Sequence, residues 1–300
     1  MVDKTAIDRR QLLQAFGLAA AGVGDLSAAA SEGPLLTARG IQQGYIAGPE
    51  GQVHYWTMGQ GPVLLMIHQA AQSAEEFIAI APYLADEYRV LAIDLPGHGN
   101  SDDPPREFLV EDFTRATLAL LDQLDIQRLS ILGHHGGSSV AMDIAAQQPQ
   151  RVDKLILSGT GVRTPEETQA LIEGGMTRDI PIATDGDFLL STWRRYVELT
   201  SPDAPAEVTF RPFLVSLQAR LRPYDAHYAI LRWDRRAVLE KLDLPVLLVQ
   251  GDLDVFVNRQ EQLAGMIRNS TRQVITGGGA FMYYEMPKEC AAVIRAYLAT

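Results

Sequence analysis

The chain has 300 residues, 47% of them hydrophobic and 21% charged, which suits one large packed domain and rules out a disordered polymer. Its formal net charge of −11, with no Lys/Arg cluster, argues against nucleic acid and anionic membrane surfaces as partners, since both need a basic patch. The single cysteine, Cys290, excludes an internal disulfide and a Cys-based metal site.

At the N-terminus Arg9 and Arg10 precede the apolar run "QLLQAFGLAAAGVG", and Ala28 and Ala30 offer small residues to a signal peptidase. The run is too short to span a bilayer. Residues 1–30 resemble a twin-arginine export signal, although Asp25 departs from the pattern. The resemblance implies a periplasmic or secreted protein that starts near Ser31 and is not inserted in the membrane after processing. The alternative is an amphipathic N-terminal helix on a cytoplasmic protein.

Further along, "VHYWTMG", "PVLLMIH", "RVLAIDL", "LSILGH", "DKLILSG", "PVLLVQG" and "RQVITG" read as strands. Several are continuous apolar runs, as strands buried on both faces require. Helix-period segments at 74–86, 107–124, 137–148, 259–268 and 288–299 lie between them. This alternation predicts an α/β fold with a mostly parallel sheet. Over 164–243 it stops, and "FLLSTWRRYVEL" and "FLVSLQARL" sit between Pro-rich links, predicting an inserted helical cap. The core then comprises 40–163 and 244–300.

Five motifs carry the functional reading. "LLMIHQAAQS" contains His68-Gln69; "DLPGHGNSD" spans 94–102; "GHHGG" spans 133–137; "GDLD" ends at Asp254; "GGGAFMYYEMP" spans 277–287. In order and spacing they resemble the α/β-hydrolase fold superfamily over roughly residues 40–300. The resemblance implies an eight-stranded, mostly parallel sheet with flanking helices, a nucleophile elbow at 133–137 and a triad acid at Asp254. It also implies an oxyanion hole from backbone N–H groups of Gly136 and of Gln69 or Ala70.

Three positions depart from that family. The nucleophile position holds His135. The catalytic histidine of the last loop, by the register of Phe281, Glu285 and Pro287, falls on Ala280, and the glycine after the oxyanion-loop histidine is Gln69. An ordinary Ser-His-Asp triad therefore cannot form. An imidazole reaches farther than a hydroxymethyl group, and Ala280 leaves room, so His135 is expected to lean onto Asp254 and to present its other ring nitrogen as base or nucleophile. The elbow also resembles a subgroup with Gly-His-His-Thr-Gly at this turn, Gly136 standing for its Thr.

The remaining candidates are secondary. His134, Ala280, Phe281, Trp193 and His227 are possible pocket residues, while His68 and His98 are expected to bond backbone. Ser138 is a weak candidate for a displaced nucleophile. No His/carboxylate set has ligand spacing on a single element, so no metal is expected, nor any cofactor. The expected partner is a small organic carbonyl compound, cleaved at an ester, lactone or C–C bond. Two other readings stand beside this one: a cofactor-free lyase or proton-transfer enzyme using His135 as base, and a catalytically silent small-molecule binder.

Overall fold

The computed structural model describes residues 40–174, 183–220 and 226–300. The twin-arginine-like segment, 1–30, lies outside the described residues. Eight strands form one sheet: β1 (Gln42–Gly48), β2 (Gly51–Met58), β3 (Val63–Ile67), β4 (Arg89–Ile93), β5 (Leu129–His134), β6 (Val152–Ser158), β7 (Val246–Gly251) and β8 (Ser270–Ile275). Their order is β1-β2-β4-β3-β5-β6-β7-β8, antiparallel at β1/β2 and β2/β4 and parallel elsewhere.

The apolar runs explain the layering, because alternate residues of one strand face opposite sides. Leu65, Ile67, Leu91, Ile93 and Ile131 pack on α1 (Val110–Gln123) and α2 (Gly137–Gln147), joining one core. Leu64, Met66, Val90, Ala92 and Leu132 join a second core with Phe77, Ile80 and Tyr283. Between β6 and β7 the described residues form only helices: α3 (Pro165–Glu173), α4 (Asp187–Leu199), α5 (Ala206–Arg220), α6 (Ala226–Arg232) and α7 (Arg235–Leu239). Helices α8 (Gln260–Ala264), α9 (Met282–Glu285) and α10 (Pro287–Leu298) complete the chain. Among the described residues no helix is long and apolar enough to cross a membrane.

Two elements differ from expectation. The helix predicted over 74–86 is instead a pair of 3₁₀ turns, Ala74–Phe77 and Ala81–Tyr83. Pro82 would fall inside that helix, where it lacks an N–H and its ring clashes with the carbonyl of Ile78. Strand β1 was not anticipated. It is an edge strand in which only Ile46 is buried, and Gly44 and Gly48 blur its alternation.

Candidate active site

The carboxyl ends of β3, β5, β6 and β7 lie at one edge of the sheet, where open α/β sheets gather their chemistry. Between β5 and α2 only His135 and Gly136 intervene, so the chain must reverse within two residues. His135 takes φ +44°, the left-handed region that a side chain with a Cβ rarely adopts. The turn is held on both sides: His135 N–H donates to the Ser158 carbonyl at 2.8 Å, and Ser138 N–H donates to the His135 carbonyl at 3.1 Å. Gly137 admits no side chain, since a Cβ there would come within 2.2 Å of the Ile67 carbonyl.

So mounted, the imidazole reaches Asp254, with Nε2 2.7 Å from Oδ2. Burial alone would raise the Asp254 pKa, but His135 and the Phe256 N–H, which donates to Oδ1 at 2.7 Å, hold it below its ordinary value. An ionised Asp254 requires the proton on His135 Nε2, leaving the lone pair on Nδ1. No hydrogen bond to Nδ1 is formed among the described residues, and Nδ1 is not sealed from solvent. The Phe256 ring stands edge-on to the imidazole, centroids 5.2 Å apart.

A second buried pair lies directly behind the elbow. His134 is fully buried, and its Nδ1 sits 2.6 Å from Glu76 Oε1. Glu76 also accepts from Gln69 N–H at 3.1 Å and Gln69 Nε2 at 2.8 Å. Burial would raise the Glu76 pKa, yet His134 and these donors hold it low; burial lowers that of His134. The pair is therefore a carboxylate and a neutral imidazole that donates from Nδ1, leaving Nε2 buried without a partner.

This arrangement corrects three expectations. Gln69 cannot serve the oxyanion hole, because its N–H is taken by Glu76 and its amide by Glu76 and the Ala280 carbonyl at 3.1 Å. His134 is fully buried and is not among the described residues that line the cavity over the elbow. Trp193 packs edge-on against Phe210 and Phe213 instead of facing the pocket. Two of the predicted hole donors are left, the N–H groups of Ala70 and Gly136, which form no hydrogen bond among the described residues. They border one corner, since Ala70 N lies 3.1 Å from where a Cβ on Gly136 would be.

Ser138 is fully buried and donates to the Gly133 carbonyl at 2.7 Å, out of reach of the pocket. His68 accepts from Leu95 N–H at 3.1 Å and donates to the Gln69 carbonyl at 2.7 Å, and His98 donates to the Pro96 carbonyl at 3.2 Å. Both are backbone braces.

A cavity of about 310 Å³ opens over the elbow, and His135, Ala70, Gly136, His227, Ala280 and Phe281 are among its lining residues. Ligand-type atoms of His134, His135 and Asp254 lie within 4.8 Å of one another, so a metal-ligand grouping does arise, across three segments instead of along one. As placed, His135 Nε2 and Asp254 Oδ2 engage each other and Glu76 takes His134 Nδ1, so these three atoms are already committed within the protein.

Among the site residues that escaped the sequence reading, Gly159, Glu76 and Gln72 hold the elbow and its loops in place. Gly159, just past β6 at φ +55°, leaves the space that the imidazole occupies: a Cβ there would lie 2.3 Å from His135 Cδ2 and 2.4 Å from Nε2. Glu76 falls in the segment 74–86 predicted as helix, and nothing in that pattern marks it as fully buried. Gln72 ties the loop after β3 to the last loop and the helical segment, donating to the Pro212 carbonyl at 2.9 Å and accepting from Tyr284 Oη at 3.2 Å. Only the terminal glycine of "DKLILSG" could have hinted at any of them.

Fold and site together define a sheet-edge hydrolase scaffold whose elbow carries an imidazole. The chain belongs to the alpha/beta hydrolase fold family, whose model matches residues 62–287. It is 37% identical over 124 residues to an uncharacterised protein of Mycobacterium tuberculosis, covering 41% of this chain and 33% of that protein. The chain thus spans about a third of the length of the first curated relatives it matches. It is 27% identical to a 2-hydroxy-6-oxononadienedioate/2-hydroxy-6-oxononatrienedioate hydrolase of Pseudomonas putida, over 78% of this chain and 87% of that one. The bromoperoxidase of Bacillus anthracis superposes with a TM-score of 0.71 at 20% identity, over 83% of this chain and 96% of that chain.

Proposed function

We propose that the chain hydrolyses a small carbonyl compound, at an ester, a lactone or a C–C bond beside the carbonyl, with His135 as general base and Asp254 as the carboxylate that positions it. The 2.7 Å contact between the two carries this reading. His135 Nδ1 takes a proton from a water molecule as its oxygen adds to the carbonyl carbon. The resulting oxyanion falls to the N–H groups of Ala70 and Gly136, at the positive end of α2. Collapse releases the acid, and the leaving group takes the proton back from the imidazolium. A hydroxyl nucleophile is not needed, so the histidine of the Gly-His-His-Gly-Gly turn is a working residue and not the trace of a lost one. The similarity to a hydrolase from Pseudomonas putida over most of both chains supports the reaction class.

The test is turnover of a panel of short-chain esters and lactones. Wild type is expected to turn over at least one of them. His135→Ala should fall to background, Asp254→Asn should lose on the order of 10³- to 10⁴-fold by misorienting the imidazole, and Ser138→Ala should retain the wild-type rate. Absence of turnover by wild type, or full activity in His135→Ala, would overturn the proposal.

A further inference from the structure

The lining of the cavity over His135 has a charge of one sign. Among the described residues it includes Arg163, Arg195 and Arg235 together with two histidines, and no Asp or Glu, in a chain whose net charge is −11. The two carboxylates that touch the elbow, Asp254 and Glu76, are not among these lining residues and are engaged by His135 and His134.

Two of these guanidiniums are only partly satisfied. Arg163 forms no hydrogen bond or ion pair among the described residues; it lies over the Phe256 ring, 4.7 Å from its centroid. The acid nearest to it, Glu167, is already held in a two-pronged pair by Arg259, with both contacts at 2.9 Å. Burial and the Arg259 charge lower the Arg163 pKa. Arg235 is anchored to the wall by the Gly161 carbonyl and, at 3.4 Å, by Ser139 Oγ, which leaves most of its five donors unspent. Burial, aided by repulsion from Arg163, brings its pKa to about 10, so it stays charged at neutral pH. Both residues also border a second cavity of about 340 Å³ and so form a charged partition between the two spaces.

Two half-buried like charges with no counter-ion among the described residues are an unfavourable arrangement that a bound anion relieves. A planar fork of donors matches a carboxylate in particular. The row His135–Phe256–Arg163, in successive ring contacts, sets the distance between a reacting carbonyl and such an anion. We infer that this cavity selects a small carbonyl compound that also bears a carboxylate, held by Arg163 and Arg235 while the carbonyl lies at His135. The inference rests on the function proposed above and names its substrate class.

The experiment separates the two ideas by reading binding without turnover. The full chain is titrated calorimetrically with 4-oxopentanoate and, in parallel, with its neutral amide, neither of which carries a bond that this chemistry cleaves readily. Wild type is expected to bind the acid at least about tenfold more tightly, the scale of one charge-assisted hydrogen bond. The preference should shrink at high salt and fall to near parity in Arg163→Gln. Arg235→Gln serves as a second variant with the Phe256 stack intact. Equal binding of acid and amide, no binding of either, or a preference undiminished in both variants would overturn the inference. A protein that hydrolyses neutral esters through His135 yet shows no preference for the acid sinks this inference alone. One that prefers the acid but turns nothing over sinks the hydrolase reading alone.

Discussion

The elbow histidine sits where backbone energetics and chemistry oppose each other. At φ +44° any residue with a Cβ costs about 1–2 kcal/mol relative to glycine. His135→Gly is therefore expected to be more stable than His135→Ala by about 1 kcal/mol, although both are inactive; equal thermal melts of the two variants would refute the strain. Gly159 has the opposite role, because the imidazole lies where its side chain would be. In Gly159→Ala the added methyl should push His135 off Asp254. The result should be turnover near that of His135→Ala with the fold retained by circular dichroism. The His135–Asp254 contact could be anticipated, since the two positions are marked by family motifs, although the space the imidazole fills is the one left by Gly159. Gly159 could not, because its role depends on β6 running beside β5, a contact made only once the chain is folded.

Among the elements, the loop after β3 is the part least legible in the sequence. "QSAEEF" has the charge pattern of an exposed helix, yet Pro82 breaks the segment into short turns and Glu76 turns inward to become a hub. It anchors Gln69, whose amide in turn holds the Ala280 carbonyl on the last loop. Glu76→Gln keeps the shape but replaces an acceptor oxygen with a donor that faces His134 or Gln69. Leaving a buried hydrogen-bonding group unsatisfied typically costs about 1–3 kcal/mol, so this variant should unfold at clearly lower denaturant concentration than wild type. An unchanged midpoint would show that the hub carries no stability. The parallel strands were legible for the opposite reason: both faces of each central strand are buried, so their apolar runs are uninterrupted. At β1, solvent on most positions removes that signal.

For the whole molecule, acid sensitivity follows from where the titratable groups are buried. Burial lowers the pKa of both His68 and His134 from the ordinary value of 6.5, so below that pH the unfolded chain binds protons that the folded chain refuses. Their contribution to stability is present above about pH 6.5 and is lost as pH falls toward the folded values, by up to about 1.4 kcal/mol per histidine per pH unit. Glu76 and Asp254, both held low, extend the loss below their ordinary range. The melting temperature should thus drop between pH 7.5 and 5.5, and a flat profile would contradict the neutral state of these histidines. The fold class was readable from strand alternation, and the cationic wall of the cavity was not, since Arg163, Arg195 and Arg235 are dispersed along the chain and converge only through the helical segment. In mutational terms the scaffold stands two side chains from an ordinary Ser-His-Asp triad: His135→Ser with Ala280→His would supply both missing members beside Asp254. Neither change alone completes the triad: His135→Ser supplies the hydroxyl but removes the imidazole on Asp254, whereas Ala280→His keeps His135 and lacks only the hydroxyl, so a route between the two chemistries that retains a base acquires Ala280→His first.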